Sequence, residues 1–265
     1  MSDYEEQSTV ERISPNQAAN RLIKIHAAAA ELTSSTSVHD ALELALATLL
    51  TLRWMGAKDV QPIWLMIIGN PSSGKTEVVL ACKNLVEHVL YVDTLTENAF
   101  GSGFVDDRQM SKYRAKNKDL LGELQNTNKA LIIKDLTTLF SLREDKLKKI
   151  LGDLTSIYDG SYSKWTGTIG QIKYEVKFPM LACITPEVLR KHHNYMSLIG
   201  GRFLMFRLTP LSEGEQGEGF GILWNEKQRE KNIRKLQQDI ASHIEQLLAE
   251  PEKLETGVER GKRHH

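Results

Sequence analysis

Eight consecutive residues carry the densest chemical signal in the chain: Gly69-Asn70-Pro71-Ser72-Ser73-Gly74-Lys75-Thr76. Their spacing, G-x-x-x-x-G-K-T, is that of a glycine loop able to wrap a polyphosphate. Pro71 has no N–H, so the cradle falls to the N–H groups of Ser73, Gly74, Lys75 and Thr76. Lys75 would reach the β- and γ-phosphates, and the Thr76 hydroxyl would bind Mg²⁺. This chemistry needs a strand before the loop and a helix after it. Residues 63–68 form a short apolar run of buried-strand type, and residues 77–86 have helical spacing. The first N–H groups of that helix then face the phosphates, and its dipole favours negative charge there.

Motif and flanks together are those of the P-loop NTPases. Such an enzyme needs an acidic residue to hold Mg²⁺ and a group to orient the attacking water. The run Leu131-Ile132-Ile133-Lys134-Asp135 supplies a buried strand ending in a carboxylate, and Asp135 is the candidate metal ligand beside Thr76. Many ATPases carry two acids in a row at this point, whereas here Asp135 is followed by Leu136. Aligned on Lys134-Asp135 instead, Asp135 becomes the base and the metal ligand is missing. With Asp135 as ligand, the base comes from elsewhere, Glu97 or the weaker candidate Asp93.

The elements that must position these groups alternate along the chain. Residues 15–32 read as a helix with Ser14 as N-cap and Pro15 at its first position. A second helix is predicted over 38–55, ended by Gly56. Strands are predicted over 89–92, 130–133, 180–184 and 203–208, and helices over 120–124 and 142–158, the latter with Gly152 inside it. Residues 161–177 alternate and contain Gly167 and Gly170, which predicts a β-hairpin. A charged amphipathic helix over 225–249 carries Ile233, Leu236, Ile240, Ile244 and Leu247 on one face. The pattern implies an α/β fold, a three-layer α/β/α P-loop core with a mostly parallel sheet, flanked by N- and C-terminal helices. The expected division is a polar tail over 1–14, a helical segment over 15–59, the ATPase core over 60–210, and a linker with the last helix over 211–265.

From residue 60 to 210 the chain resembles the AAA+ ATPases of the helicase-like clade. It follows their order: P-loop, Asp135 strand, hairpin, polar-ended strand, arginine. Cys183-Ile184-Thr185-Pro186 looks like their sensor-1 strand, which implies that Thr185 bonds the γ-phosphate or the attacking water. Gly200-Gly201-Arg202-Phe203 resembles the arginine-finger motif of minichromosome-maintenance helicases, with Arg207 as the alternative finger. A finger acting on the neighbour's nucleotide implies a homo-oligomer. The stretch Ser163 to Tyr174 looks like a pre-sensor-1 hairpin, which in those helicases touches DNA. Lys164, Lys173 and Trp165 are the candidate contacts. The basic run Arg108, Lys112, Tyr113, Arg114, Lys116 and Lys118 is a second candidate surface. The phrases 94–104 and 134–138 are similar to uncharacterised ATPases of phages and integrated mobile elements. The resemblance implies ATP and Mg²⁺ as cofactors and a helicase or helicase-loading motor. A protein-remodelling ATPase and a nucleotide-gated module with little hydrolysis are the alternatives.

Bulk composition constrains less. Lys plus Arg and Asp plus Glu both number 34, so the net charge is zero and the whole-protein field points to no nucleic-acid or membrane partner. Cys82 and Cys183 lack metal-ligand spacing and read as small core residues. No metal role is assigned to the terminal His264 and His265. No apolar run is long enough to span a bilayer, which predicts a cytoplasmic protein.

Overall fold

The computed structural model describes residues 14–55, 60–96, 98–101, 119–166, 170–210 and 226–249. Five short strands form its central sheet: β1 (Trp64–Ile68), β2 (Val89–Val92), β3 (Ala130–Ile133), β6 (Met180–Ile184) and β7 (Phe203–Arg207). Their order is β2-β3-β6-β1-β7, and every pairing is parallel. A separate antiparallel hairpin joins β4 (Ser161–Thr166) to β5 (Gly170–Glu175). The central strands β1, β3 and β6 are buried along their whole length, because both faces of a parallel sheet are covered.

Alternation along β1 divides the core in two. Trp64, Met66 and Ile68 face one layer, built from α4 (Leu120–Thr127), α5 (Glu144–Tyr158), α7 (His193–Ile199) and the hairpin. Leu65 and Ile67 face the other, built from α1 (Pro15–Ala30), α2 (Thr36–Leu50), α3 (Lys75–Ala81) and α8 (Glu226–Ala249). The fold is therefore a three-layer α/β/α sandwich. The helices before the sheet and the helix after it share one apolar cluster with α3 and the strands: Ile25 and Ala29 of α1 and Leu236, Ile240 and Ile244 of α8 belong to it. Trp64 anchors the opposite layer, with Nε1 donating to Phe178 O at 3.0 Å and its ring edge-on to Tyr158.

Several elements differ in extent from their predicted ranges. The helix after the glycine loop stops at Ala81 rather than reaching residue 86. Cys82 and Lys83 bond Val79 O and Leu80 O, so the chain tightens into i→i−3 turns there. The α2 helix ends at Leu50 and continues as a 3₁₀ turn, Thr51–Trp54. The Thr48 and Thr51 hydroxyls bond back to Leu44 O (2.8 Å) and Thr48 O (2.6 Å) at this junction. The α5 helix runs unbroken through Gly152, which lies on its exposed face with open space around it. Two short helices, α6 (Pro186–Lys191) and α7, follow Thr185 where no helix was predicted.

Candidate functional site

Because all five strands run in parallel, the residue after each one emerges at the same sheet edge, where open α/β sheets bind ligands. Gly69 follows β1, Asp93 follows β2, Lys134 and Asp135 follow β3, and Thr185 follows β6. Since β6 lies between β1 and β3, Thr185 emerges between the glycine loop and the Asp135 turn. Two backbone bonds stitch these ends together: Gly69 N–H to Ile184 O (3.2 Å) and Leu136 N–H to Cys183 O (2.8 Å).

The loop from Gly69 to Thr76 turns the chain from β1 into α3. Ser72 and Gly74 both have positive φ, 61° and 90°, which turns the chain sharply before α3. A Cβ on Gly74 would meet Val38 Cγ2 of α2 at 2.7 Å, so only glycine fits this close approach. Ser73 N–H is engaged by Asn70 O at 3.2 Å. The first N–H groups of α3 have no acceptor within the helix. The Ser73 hydroxyl is buried with no partner. Pro71 and Ser72 form the exposed lip of the loop.

Lys75 folds back under the loop and donates to Gly69 O and Asn70 O, each at 2.6 Å. Partial burial holds its pKa below the ordinary lysine value, opposed by Cys183 and by the Asp135 carboxylate. Cys183 responds to the same two groups. Burial pushes its thiol up to about 12, Lys75 opposes this and Asp135 adds to it. The Cys183 Sγ also lies 3.6 Å from Lys75 O. Burial likewise raises the Tyr91 phenol to about 12, with Asp93 and Cys183 adding to the shift, and its hydroxyl is buried without a partner.

Asp135 is half-buried and its Oδ1 accepts Thr137 N–H at 2.8 Å. Lys134 pairs with Asp93 (3.4 Å) and points along the edge rather than at the loop. Asp93 is exposed, and its carbonyl accepts Asp135 N–H. Thr76 is exposed at the start of α3. Thr185 is the N-cap of α6, yet its hydroxyl makes no capping bond. Glu97 lies outside the described residues, as does the basic run 108–118.

Arg202 is not brought to this edge. It precedes β7, whose first residue pairs with Trp64, so it sits at the opposite end of the sheet, roughly 16 Å away at 3.3 Å per residue. There its Nη2 meets Asp159 Oδ2 at 3.5 Å and its guanidinium covers the Tyr158 ring at 5.8 Å. Arg207 does reach the edge that carries the glycine loop, since it pairs in register with Ile68, the residue before Gly69.

The hairpin splits the three candidate contact residues between two faces. Residues directly opposite in an antiparallel pair share a face. Tyr162, Tyr174, Lys164 and Ile172 point inward, with Lys164 Nζ donating to Gly101 O at 2.9 Å. Trp165, 77% exposed, and Lys173 point outward, and Lys173 pairs with Glu175 at 2.5 Å.

Three features were not read from the sequence. Asp119, 5% exposed, caps α4 through Gly122 N–H and accepts the Tyr174 hydroxyl at 2.7 Å, which pins the hairpin to that helix. An Asp before an apolar helix was the available signal. Arg229 of α8 pairs with Glu77, one residue past Thr76, and Gln237 donates to Leu80 O at 2.8 Å. Nothing in spacing reveals that contact, since 152 residues separate the partners. The third is the Thr137 hydroxyl, buried beside Asp135 without a partner.

No protein-family model matches the chain, and no curated protein is a significant sequence match. Among solved structures, the S. cerevisiae Hsp104–ADP complex is similar at a TM-score of 0.44 and 16% identity, covering 79% of this chain and 39% of that one. This chain thus spans about two fifths of that chain's length, and a likeness this coarse carries no argument about activity. Among the described residues no cluster of three or more His, Cys, Asp or Glu could hold a metal, and no helix is long and apolar enough to cross a membrane.

Proposed function

We propose that the protein is an ATP-hydrolysing P-loop motor of AAA+ type that works on nucleic acid. The observation that carries this reading is that the glycine loop with Lys75 and the Asp135 turn emerge at the same edge of the parallel sheet. Lys75 now bonds two loop carbonyls, and a triphosphate would replace them with β- and γ-phosphate oxygens. The buried Ser73 hydroxyl and the free first-turn N–H groups are donors that such a ligand would satisfy.

The Thr76 hydroxyl and the Asp135 carboxylate fit Mg²⁺, which takes one or two protein oxygens and completes its shell with phosphates and water. One Asp135 oxygen is already used by Thr137 N–H, which orients the other. Bound there, Mg²⁺ would neutralise charge on the phosphates. Thr185, uncommitted to its helix and emerging between loop and Asp135, suits a bond to the γ-phosphate or the attacking water.

Arg202 cannot serve its own chain's P-loop from the far edge of the sheet. As a finger it acts on a neighbouring copy, which makes the working form a homo-oligomer. It would leave Asp159 and Tyr158 to do so. The outward hairpin face supports contact with a polymer, because the exposed Trp165 offers a stacking surface. Replication or handling of phage or mobile-element DNA is the setting this reading favours. The test is ATP hydrolysis with and without single-stranded DNA in the wild type and in Trp165→Ala. Stimulation lost in the variant, with the unstimulated rate unchanged, supports it; equal stimulation in both removes the hairpin from the account.

One observation favours a second reading. With Lys164 turned inward and Lys173 paired to Glu175, the outer face of the hairpin has little net charge and a large exposed indole. That surface also suits a polypeptide, as in a protein-remodelling ATPase. Hydrolysis stimulated by an unfolded protein and indifferent to DNA would select this alternative.

A further inference from the structure

The turn after Asp135 lacks the second acid that often orients the attacking water. Leu136 occupies that position, is 2% exposed, and has its N–H held by Cys183 O. The next residue fills the gap differently. Thr137 N–H holds Asp135 Oδ1 at 2.8 Å, so Thr137 and the carboxylate have a fixed mutual position. Its hydroxyl is nevertheless buried without a partner. The neighbouring hydroxyls are all engaged in closing the turn: Thr138 Oγ1 donates to Asp135 O at 3.4 Å, and Ser141 Oγ to Thr138 O at 2.6 Å. A buried hydroxyl left open in this way needs a water or a ligand to bond. Across the edge, the Ser73 hydroxyl of the glycine loop is open too. The Leu136–Cys183 bond lays the Thr137 turn across the end of β6, where Thr185 emerges.

We propose that Thr137 is a positioning residue for hydrolysis, its hydroxyl orienting the attacking water beside Asp135. The inference rests on the P-loop reading above. In the step it serves, the water oxygen bonds the γ-phosphorus, and the bond from that phosphorus to the β,γ-bridging oxygen breaks. ADP leaves with that electron pair, and the water's proton passes to a γ-phosphate oxygen and then to solvent. Thr137 takes no net proton, because a hydroxyl is too weak a base at neutral pH. It fixes the direction of approach, which a misplacement of 1 Å already degrades by about 100-fold.

The experiment compares Thr137→Val, Thr137→Ser and Lys75→Ala with the wild type. It measures steady-state ATP hydrolysis and calorimetric binding of ADP and a non-hydrolysable ATP analogue. Valine keeps the shape and the backbone bond to Asp135 but removes the hydroxyl. Thr137→Val is expected to lower kcat by about tenfold or more, with KM and analogue affinity within about twofold. Thr137→Ser is expected to retain most of the rate. A Thr137→Val enzyme with wild-type kcat overturns the proposal, and so does a loss of nucleotide affinity that matches the loss of rate. Hydrolysis unaffected by Lys75→Ala would instead overturn the P-loop reading itself, whatever Thr137 does.

Discussion

Replacing Gly74 by alanine probes the loop where its geometry is tightest. Two terms oppose the new methyl. The residue has φ of +90°, and an L-residue there is disfavoured by about 1–2 kcal/mol. The Cβ would also lie 2.7 Å from Val38 Cγ2, about 1 Å inside ordinary carbon contact, and overpacking of this kind costs about 1–3 kcal/mol. The sum is roughly 2–5 kcal/mol, drawn from fold stability or from nucleotide affinity. Expressed wholly in binding, the lower bound is about 30-fold. Calorimetric titration with ADP and urea unfolding read the two shares. Val38→Ala separates the terms, since Val38 Cβ is 3.8 Å from the new methyl and its removed Cγ2 was the close atom. Val38→Ala should return the overpacking share and leave the backbone share. The double-mutant cycle then shows a coupling of about 1–3 kcal/mol. Additivity within about 0.5 kcal/mol, or a Gly74→Ala protein with unchanged affinity and midpoint, would refute the reasoning.

Three further outcomes are expected. Tyr174→Phe strips the buried Asp119 carboxylate of one donor, and urea unfolding should show a loss of about 1–3 kcal/mol with ADP affinity unchanged. His243 is buried and its pKa is held below 6.5 by burial and then by Arg21. The unfolded chain therefore binds that proton more readily, and stability falls as pH drops through about 6.5; His243→Phe should flatten this slope in thermal melts between pH 7 and 5. Arg202→Ala should bind ADP like the wild type, because Arg202 is remote from its own loop, yet lose most hydrolysis if it serves a neighbour's nucleotide; normal turnover would remove the finger assignment.

Much of the architecture was legible because buried parallel strands are continuous apolar runs. Residues 89–92, 130–133 and 180–184 were bounded correctly on that ground. The glycine loop was legible because its residues are defined by backbone needs that only glycine meets, as the φ of Gly74 illustrates. Contacts between distant segments were not. Val38 touching Gly74, Arg229 holding Glu77 and Tyr174 capping Asp119 depend on how layers stack, which local periodicity does not encode. The orientation of Lys164 was also hidden. Alternation divides a hairpin into two faces, but which face is buried is decided by α4 and the backbone at Gly101. The helices after Thr185 were missed although a Thr-Pro N-terminus was present, because α6 buries no residue and shows no apolar period.

Phosphate release from ATP by the wild-type protein and by Lys75→Ala, measured with Mg²⁺ and without any polymer, tests the central claim most directly. The account predicts Mg²⁺-dependent release that Lys75→Ala abolishes. Release that survives unchanged in Lys75→Ala, or wild-type protein that binds ATP and never releases phosphate, would contradict it.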